Sequence, residues 1–338
     1  MNRRFYFRFG LLLLALFHGV VLCAGFFAPY DFSAQNREAP FARPTQVHFL
    51  DARGHFHLRP FVYRCLDGSA SCETERSQAC PIRFLASTVP DRLGGNSSWH
   101  FFRVDSPGQM FLMGTDSLGR DQFSRFLYGG RITLLAGWLA ASLSLVLGAF
   151  IGSIAGFYGK AWDQVLMRGS ELFLALPWLY LLFAVRAFLP LQITPAKAFL
   201  LVVAVIGFVG WARPARLVRG VVLSAKERNY VLAARGFGAS EFYLLRRHIL
   251  PQVFGLLLTQ AALLVPQFVL AEVTLSFLGL GVGEPAPSWG NLLASLQQYH
   301  VLASYWWMYL PALALIPLFM GYQLLADALQ ERTKVVVV

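Results

Sequence analysis

The chain alternates between long apolar runs and shorter polar stretches, and the run lengths set the first expectation. A helix crossing ~30 Å of hydrocarbon needs about 20 consecutive apolar residues. Six runs approach this length, at about 9–29, 132–156, 172–190, 195–212, 252–274 and 302–326. The fourth is the shortest, strongly apolar only from Ala198 to Ala212. No charge falls between Ile132 and Tyr158, where Gly137, Ala141, Ser144, Gly148, Gly152 and Gly156 recur at three- and four-residue steps. Small residues so spaced let helix backbones approach closely in lipid. Pro177 interrupts the third run. Thr259, Gln260 and Gln267 lie in the fifth, and polar groups in hydrocarbon face protein or a watery path. These three are therefore pathway candidates, with plain interhelical hydrogen bonding as the alternative.

Residues 30–131 form the one long polar stretch, with twelve Arg and ten acids. Its pattern alternates. Val47–Leu50 and His55–Leu58 flank a turn at Gly54, which predicts a hairpin. Phe101–Val104 and Met110–Met113, either side of Asp105–Gly108, predict a second, and Pro81–Leu85 a further strand. Cys65, Cys72 and Cys80 all lie here, and two of the three can pair in a disulfide. Their C-x6-C-x7-C spacing lacks the tight pairs of a structural zinc site, so His48, His55 and His57 are not read as metal ligands. Thr115 or Asp116 then caps a helix with one apolar face, in which Asp121 and Arg125 are four apart and can pair.

A second polar insert, Ser224–Pro251, separates two apolar runs. Ser224 with Glu227 reads as a capping box that opens a helix. Gly236 and Gly238 close it. Ser240 caps a second helix in which Phe242, Leu245 and Ile249 recur at helical spacing. Pro251 suits the start of the apolar helix that follows. The expectation is a short helix–turn–helix, shaped to be gripped by another molecule.

Composition supports a membrane protein: 56% of residues are hydrophobic and 14% charged. The net charge of +11 is concentrated. Eight Lys/Arg and two Glu lie between Arg213 and Leu250, and Arg3, Arg4 and Arg8 precede the first run. The segments 191–197 and 275–301 together hold a single Lys or Arg, Lys197. The positive-inside rule then places both termini and the helix pair in the cytoplasm. It also accounts for the basic balance without nucleic acid. Residues 1–29 read as an uncleaved anchor, lacking a small-x-small cleavage site before Pro29. No G-x-x-x-x-G-K-[ST] occurs, so nucleotide phosphates are not cradled here by a P-loop. Neither G-x-S-x-G nor H-E-x-x-H is present. No catalytic residue is expected, and any drive from ATP must come through a partner.

Ala233, Ala234, Gly238, Ile249, Leu250 and Pro251 resemble the EAA loop of binding-protein-dependent ABC importers, with Leu232 where that motif opens with glutamate. Gly114-Thr115-Asp116, Gly119-Arg120-Asp121 and the run to Arg131 resemble the segment before the second span of the oligopeptide/dipeptide (and nickel) permease family. Glu272 to Asn291, with Ser288-Trp289-Gly290, resembles that family again. The likeness is to its C-type second permease. It implies an all-α polytopic membrane protein, the type I ABC importer transmembrane domain with six spans, carrying a small β-rich external insert between spans 1 and 2. The implied parts are an anchor helix at 1–29, the insert at 30–113 and an interfacial amphipathic segment at 114–131. A five-span core at 132–326 with coupling helices at 224–250 and a cytoplasmic tail at 327–338 complete the chain. The setting is the bacterial inner membrane. The implied partners are a homologous second permease in a heterodimer, two ABC ATPase subunits holding ATP and Mg, and an extracytoplasmic solute-binding protein. No cofactor is expected on this chain. The implied cargo is oligopeptides or dipeptides, with nickel or another small solute as the alternative. A membrane receptor, a scaffold or a stand-alone channel are the readings outside that class.

Overall fold

The computed structural model describes residues 3–51, 54–63, 79–87, 99–105, 108–188 and 194–337. Helices α1 (Arg3–Leu22) and α2 (Ala24–Phe27) precede strands β1 (His48–Leu50), β2 (Phe56–Tyr63), β3 (Ala79–Ser87) and β4 (Trp99–Val104). Then come α3 (Gln122–Tyr158), α4 (Lys160–Ala175), α5 (Trp178–Ala187), α6 (Pro195–Gly210) and α7 (Ala212–Lys226). Two short helices, α8 (Asn229–Gly236) and α9 (Glu241–Leu244), lead through a π turn (Leu245–Ile249) into α10 (Leu250–Phe277). The chain ends with α11 (Trp289–Ala294), α12 (Tyr299–Ser304) and α13 (Leu310–Val337). The architecture is the expected one, mostly helical with a small antiparallel sheet.

Among the described residues, four helices are long and apolar enough to cross a membrane: Phe5–Leu22, Gln122–Tyr158, Glu241–Phe277 and Trp306–Gln330. A fifth crossing is available if α6 and α7, bent by 43°, count as one. Pro214 explains the bend, because its ring clashes with the carbonyl four residues back, at Gly210. The run expected to cross at 172–190 is not one helix. Leu176 takes extended angles (φ −80°, ψ 136°) before Pro177, which disfavours helix in the residue preceding it. The helix expected from 132 begins instead at Gln122.

The chain divides into two compact units. One comprises Met1–Ala15, Thr133–Leu275 and Ile316–Val338. Its core is built on α7, whose Val218, Val222 and Ala225 are buried with Phe157, Ile249 and Val253. Of the glycines of α3, Gly148, Gly152 and Gly156 lie on α7, and Gly137 lies on Val265 and Val269 of α10. A Cβ at Gly148 would meet Pro214 at 2.6 Å, and one at Gly156 would meet the Arg219 carbonyl at 2.9 Å. Only glycine permits that approach. Lys226 donates to the Phe157 carbonyl at 2.6 Å, at the end of α3. Arg219 of α7 forms a two-point ion pair with Asp163 of α4, with Nη2 to Oδ2 at 2.6 Å.

The other unit comprises Leu16–Ile132 and Ser276–Leu315. Its antiparallel sheet runs in the order β1-β2-β3-β4. The first expected hairpin is present, with Gly54 at φ +82° and Asp51 bonding His55 across the turn. The strand expected at Pro81–Leu85 is β3. The second expected hairpin is absent, since β4 pairs with β3, Phe84 facing Phe102 and Ile82 facing Val104. Met110–Met113 forms no strand. The Met110 and Phe111 N–H groups donate to Tyr30 Oη and Thr45 Oγ1, and Met110 fills the core with Val62, Cys80, Ile82, Phe102 and Val104. Cys80 is thus a buried core residue, while Cys65 and Cys72 lie outside the described residues.

Candidate functional site

The helix pair at 224–250 differs from its expected form at both ends. Ser224 lies inside α7, so the capping box with Glu227 does not open a helix. The apolar face of α7 runs on through Ala225, and its burial outweighs the local cap. The first helix of the pair is α8, starting at Asn229 after an extended Arg228. It stops as expected. Gly238 has φ +83°, the Phe237 N–H bonds the Ala233 carbonyl, and the Ala239 N–H bonds the Ala234 carbonyl. The two motif alanines thus supply the carbonyls that close the turn. Ser240 caps α9, accepting from the Tyr243 N–H at 3.3 Å.

Pro251 does not start a separate helix. From Glu241 to Phe277 the chain is one helix of 37 residues, carried across Pro251 by the π turn. Proline has no N–H and clashes with the carbonyl four back, and the wider turn with its bond from Leu250 N–H to Leu245 O accommodates both. Ile249 is fully buried against α7, whereas Leu250 and Pro251 are exposed. Tyr230, Gln252 and His248 tie α8 to the π turn. Gln252 Nε2 donates to Tyr230 Oη and to the His248 carbonyl, and the His248 ring lies against Tyr230 and Tyr243.

The outer surface of this elbow is apolar with a basic surround. Phe237 is 93% exposed and Phe242 72%, with Leu232 and Tyr243 also exposed. Arg228, Arg235, Arg246 and Arg247 share the segment with just two acids, Glu227 and Glu241. Such a patch fits a groove with an apolar floor and acidic rim.

The other motif residues build the second unit. Thr115 Oγ1 donates to the Ala39 carbonyl at 2.6 Å and accepts from the Ala42 N–H at 2.7 Å. Gly114 has φ +66°, and a Cβ there would meet the Ala42 carbonyl at 2.6 Å. Gly119, at φ +69°, lies against the Asn36 carbonyl. Neither Thr115 nor Asp116 caps a helix; Asp121 caps α3, accepting from the Ser124 N–H at 2.8 Å. Ser288 opens α11 in a capping box with Asn291. Trp289 is fully buried, stacked on Phe126, and donates to the Phe126 carbonyl at 3.0 Å. Gly290 is buried beside it.

Asp121 and Arg125 do not pair. Arg125 instead joins a chain of alternating charges, Asp116–Arg120–Glu284–Arg125. Arg120 Nε bonds Asp116 Oδ2 at 2.7 Å, and its two terminal nitrogens grip Glu284 at 2.7 and 3.2 Å. Arg125 Nη2 reaches the same Glu284 at 2.8 Å. Burial pushes the Glu284 carboxyl up, but Arg120 and Arg125 outweigh it and hold the group below the usual carboxylate range. Local motifs do not single out Glu284. One signal exists in the chain: it is the sole acid between Glu272 and Asp327.

A crevice of about 550 Å³ in the first unit gathers three irregularities of helix geometry. Leu176 and Pro177 at the α4–α5 break, Gly210 and Arg213 at the α6–α7 bend, and Gln267 beside Pro266 all stand at it. Of the pathway candidates, Gln267 lines this space. Thr259 is buried and donates to its own helix, to the Gly255 carbonyl at 3.2 Å, and Gln260 is also buried. Among the described residues no group of three His, Cys, Asp or Glu could hold a metal ion. His55 and His57 instead gather on Asp51 at 3.4 and 3.2 Å.

Several helices long and apolar enough to cross a membrane, packed through glycines and with an exposed elbow continuous with one of them, mark a multi-pass membrane protein. The chain belongs to the family described as the binding-protein-dependent transport system inner membrane component, which residues 148–335 match. It is 37% identical over 219 residues to the dipeptide transport system permease protein DppC of Bacillus subtilis (strain 168), covering 64% of this chain and 66% of that one. With the oligopeptide transport system permease protein OppC of the same organism the identity is 35% over 229 residues, 67% of this chain and 72% of the relative. Among solved structures, an amino acid ABC transporter with histidines aligns at 19% identity and a TM-score of 0.47, over 62% of this chain and 94% of the other.

Proposed function

We propose that this chain is the membrane-spanning permease subunit of an ATP-driven importer of dipeptides or oligopeptides. The names of its relatives, a dipeptide and an oligopeptide permease, support the cargo. A solute-binding protein delivers the peptide on the outer side. A homologous second permease completes the pathway, and two ATPase subunits below it hold ATP and Mg. Both termini and the elbow lie in the cytoplasm, in keeping with eight Lys/Arg between Arg213 and Leu250.

The observation that carries the coupling is the unbroken helix Glu241–Phe277. A push on Phe242 or Tyr243 is transmitted to α10 without a flexible joint. The α8 end is equally firm, because α7 is fastened to α3 by Lys226 and to α4 by Arg219. Closure of the ATPases on ATP binding therefore moves the spans as rigid bodies between inward- and outward-open arrangements. The Ala233–Ala234 carbonyls, Gly238 and Ile249 keep the elbow's shape, and its aromatic side chains engage the ATPase.

The test is uptake by the reconstituted transporter. Phe237→Asp places a charge on a side chain that supports no core, so this chain should fold and insert as before. ATP-driven uptake of labelled dipeptide is expected to fall at least tenfold, equivalent to about 1.4 kcal/mol of coupling. Unchanged uptake would remove the docking role of the elbow. Uptake of nickel but of no peptide by the parent transporter would remove the cargo.

A further inference from the structure

The crevice of the first unit holds a charge at a depth where charge is costly. Close contacts within this unit fix that depth. A Cβ at Gly137 of α3 would meet Val269 of α10 at 2.5 Å, and one at Gly148 would meet Pro214 at 2.6 Å. One at Gly210 would come within 3.0 Å of Ser144 Oγ, which is buried without a hydrogen bond. The crevice residues Gly210, Arg213 and Gln267 are therefore level with 137–148, in the middle of the stretch of α3 that carries no charge. From Gly148 to Tyr158 the helix rises about 15 Å, half the ~30 Å of hydrocarbon. Arg219, paired with Asp163, lies beside Gly156 near the end of α3, and Arg213 is about 9 Å further in along α7. In the sequence Arg213 is simply the first basic residue after an apolar run. The structure sets it deeper, because α7 runs along α3 and not away from it.

Arg213 is exposed at the crevice, and among the described residues no carboxylate pairs with it. It is the sole charged residue in a lining otherwise apolar except for Gln267. The space is wet, not filled by lipid. Leu176, with its extended backbone, and Pro177 border it. Irregular backbone at membrane depth is tolerated where it lines water or is buried in protein, not where lipid covers it. An acyl chain would also leave the guanidinium and the Gln267 amide unmatched. A cation, an amide and an apolar wall around about 550 Å³ match the carboxylate, peptide group and side chains of a short peptide.

We propose that Arg213 receives the C-terminal carboxylate of the peptide as it crosses, with Gln267 at the peptide group. The inference rests on the peptide cargo proposed above and goes beyond it, assigning to this chain a preference for a free carboxylate. In a site of low dielectric the attraction between the two charges is strong. A solute without the anionic end leaves the arginine desolvated and unpaired.

The test uses the full transporter with its binding protein in proteoliposomes and a labelled dipeptide carrying a diazirine on one side chain. Illumination during ATP-driven uptake, followed by mass spectrometry, maps the adducts. They are expected at 173–177 and 264–270, at least about tenfold fewer in Arg213→Gln and largely restored in Arg213→Lys. Arg216→Gln changes an exposed arginine of α7 that does not line the crevice, and should leave them unchanged. Equal yields in Arg213→Gln and the parent, an equal loss in Arg216→Gln, or adducts elsewhere in the chain while uptake continues would each overturn the proposal. So would a phospholipid that co-purifies with the parent and is lost from Arg213→Gln, since the occupant would then be a lipid phosphate. A parent transporter that takes up no peptide would instead remove the cargo reading, and this inference with it.

Discussion

Burial and helix capping compete at Asp121. Burial in the second unit disfavours its charge, and the bonds from the Ser124 N–H and hydroxyl favour it. Burial is the larger, and the pKa is raised to about 6 from 3.8. A raised carboxyl value means that the folded state holds a proton the unfolded state has lost. The stabilisation is complete below about pH 4 and disappears as pH rises through 6. A rise of this size is worth on the order of 3 kcal/mol across that window. Glu284 acts in the opposite sense, since its lowered value makes its contribution fade as pH falls. Asp121→Asn isolates the first effect, because asparagine caps a helix as well as aspartate but does not titrate. Thermal unfolding in detergent should show the parent losing stability between about pH 4 and about pH 6 relative to the variant, with no further loss above that. Parallel curves for the two proteins would mean that Asp121 is charged throughout.

The elbow shows why some elements are legible in the chain and others are not. Gly238, Ser240 and the turn at Gly54 act within four residues of themselves, and all three occur where local chemistry puts them. Ser224 with Glu227 carries an equally good local signal, yet the periodic face Val218–Val222–Ala225 extends the earlier helix through it. The partners of Arg125 and Asp163 are remote in sequence, at Glu284 and Arg219, and no local spacing could reveal them. Pro251 misleads because a π turn leaves no periodicity of its own. That turn holds one more residue than an α turn, which rotates the elbow by about 100° relative to α10. Pro251→Ala restores the N–H that an α turn requires, and removing an internal proline relieves up to about 3 kcal/mol. The variant is therefore expected to be at least as stable, with Phe242 and Tyr243 turned away from their docking direction. Peptide taken up per ATP hydrolysed should drop severalfold in proteoliposomes. A ratio equal to that of the parent would show that the phase of the elbow is immaterial.

For the whole molecule, the long spans are legible because lipid imposes a length on them, whereas the break at Leu176–Pro177 within a run expected to cross and the bend between α6 and α7 escape a reading by length. Charge supplies the remaining dimension, which is direction. The segment from Arg213 to Leu250 has eight Lys/Arg, whereas 275–301 has neither and includes Glu284. Moving the first segment across a bilayer costs far more than moving the second, so the elbow should remain on the side of synthesis. Gly236 and Gly283 are suited to test this, since neither has an atom within 4 Å of an added Cβ nor a positive φ. In intact spheroplasts, a membrane-impermeant maleimide of high mass should shift Gly283→Cys beyond the parent protein. Gly236→Cys should shift only after the membrane is opened. The reverse pattern would put the elbow on the side where there is no ATP, and no ATPase could then drive this chain through it.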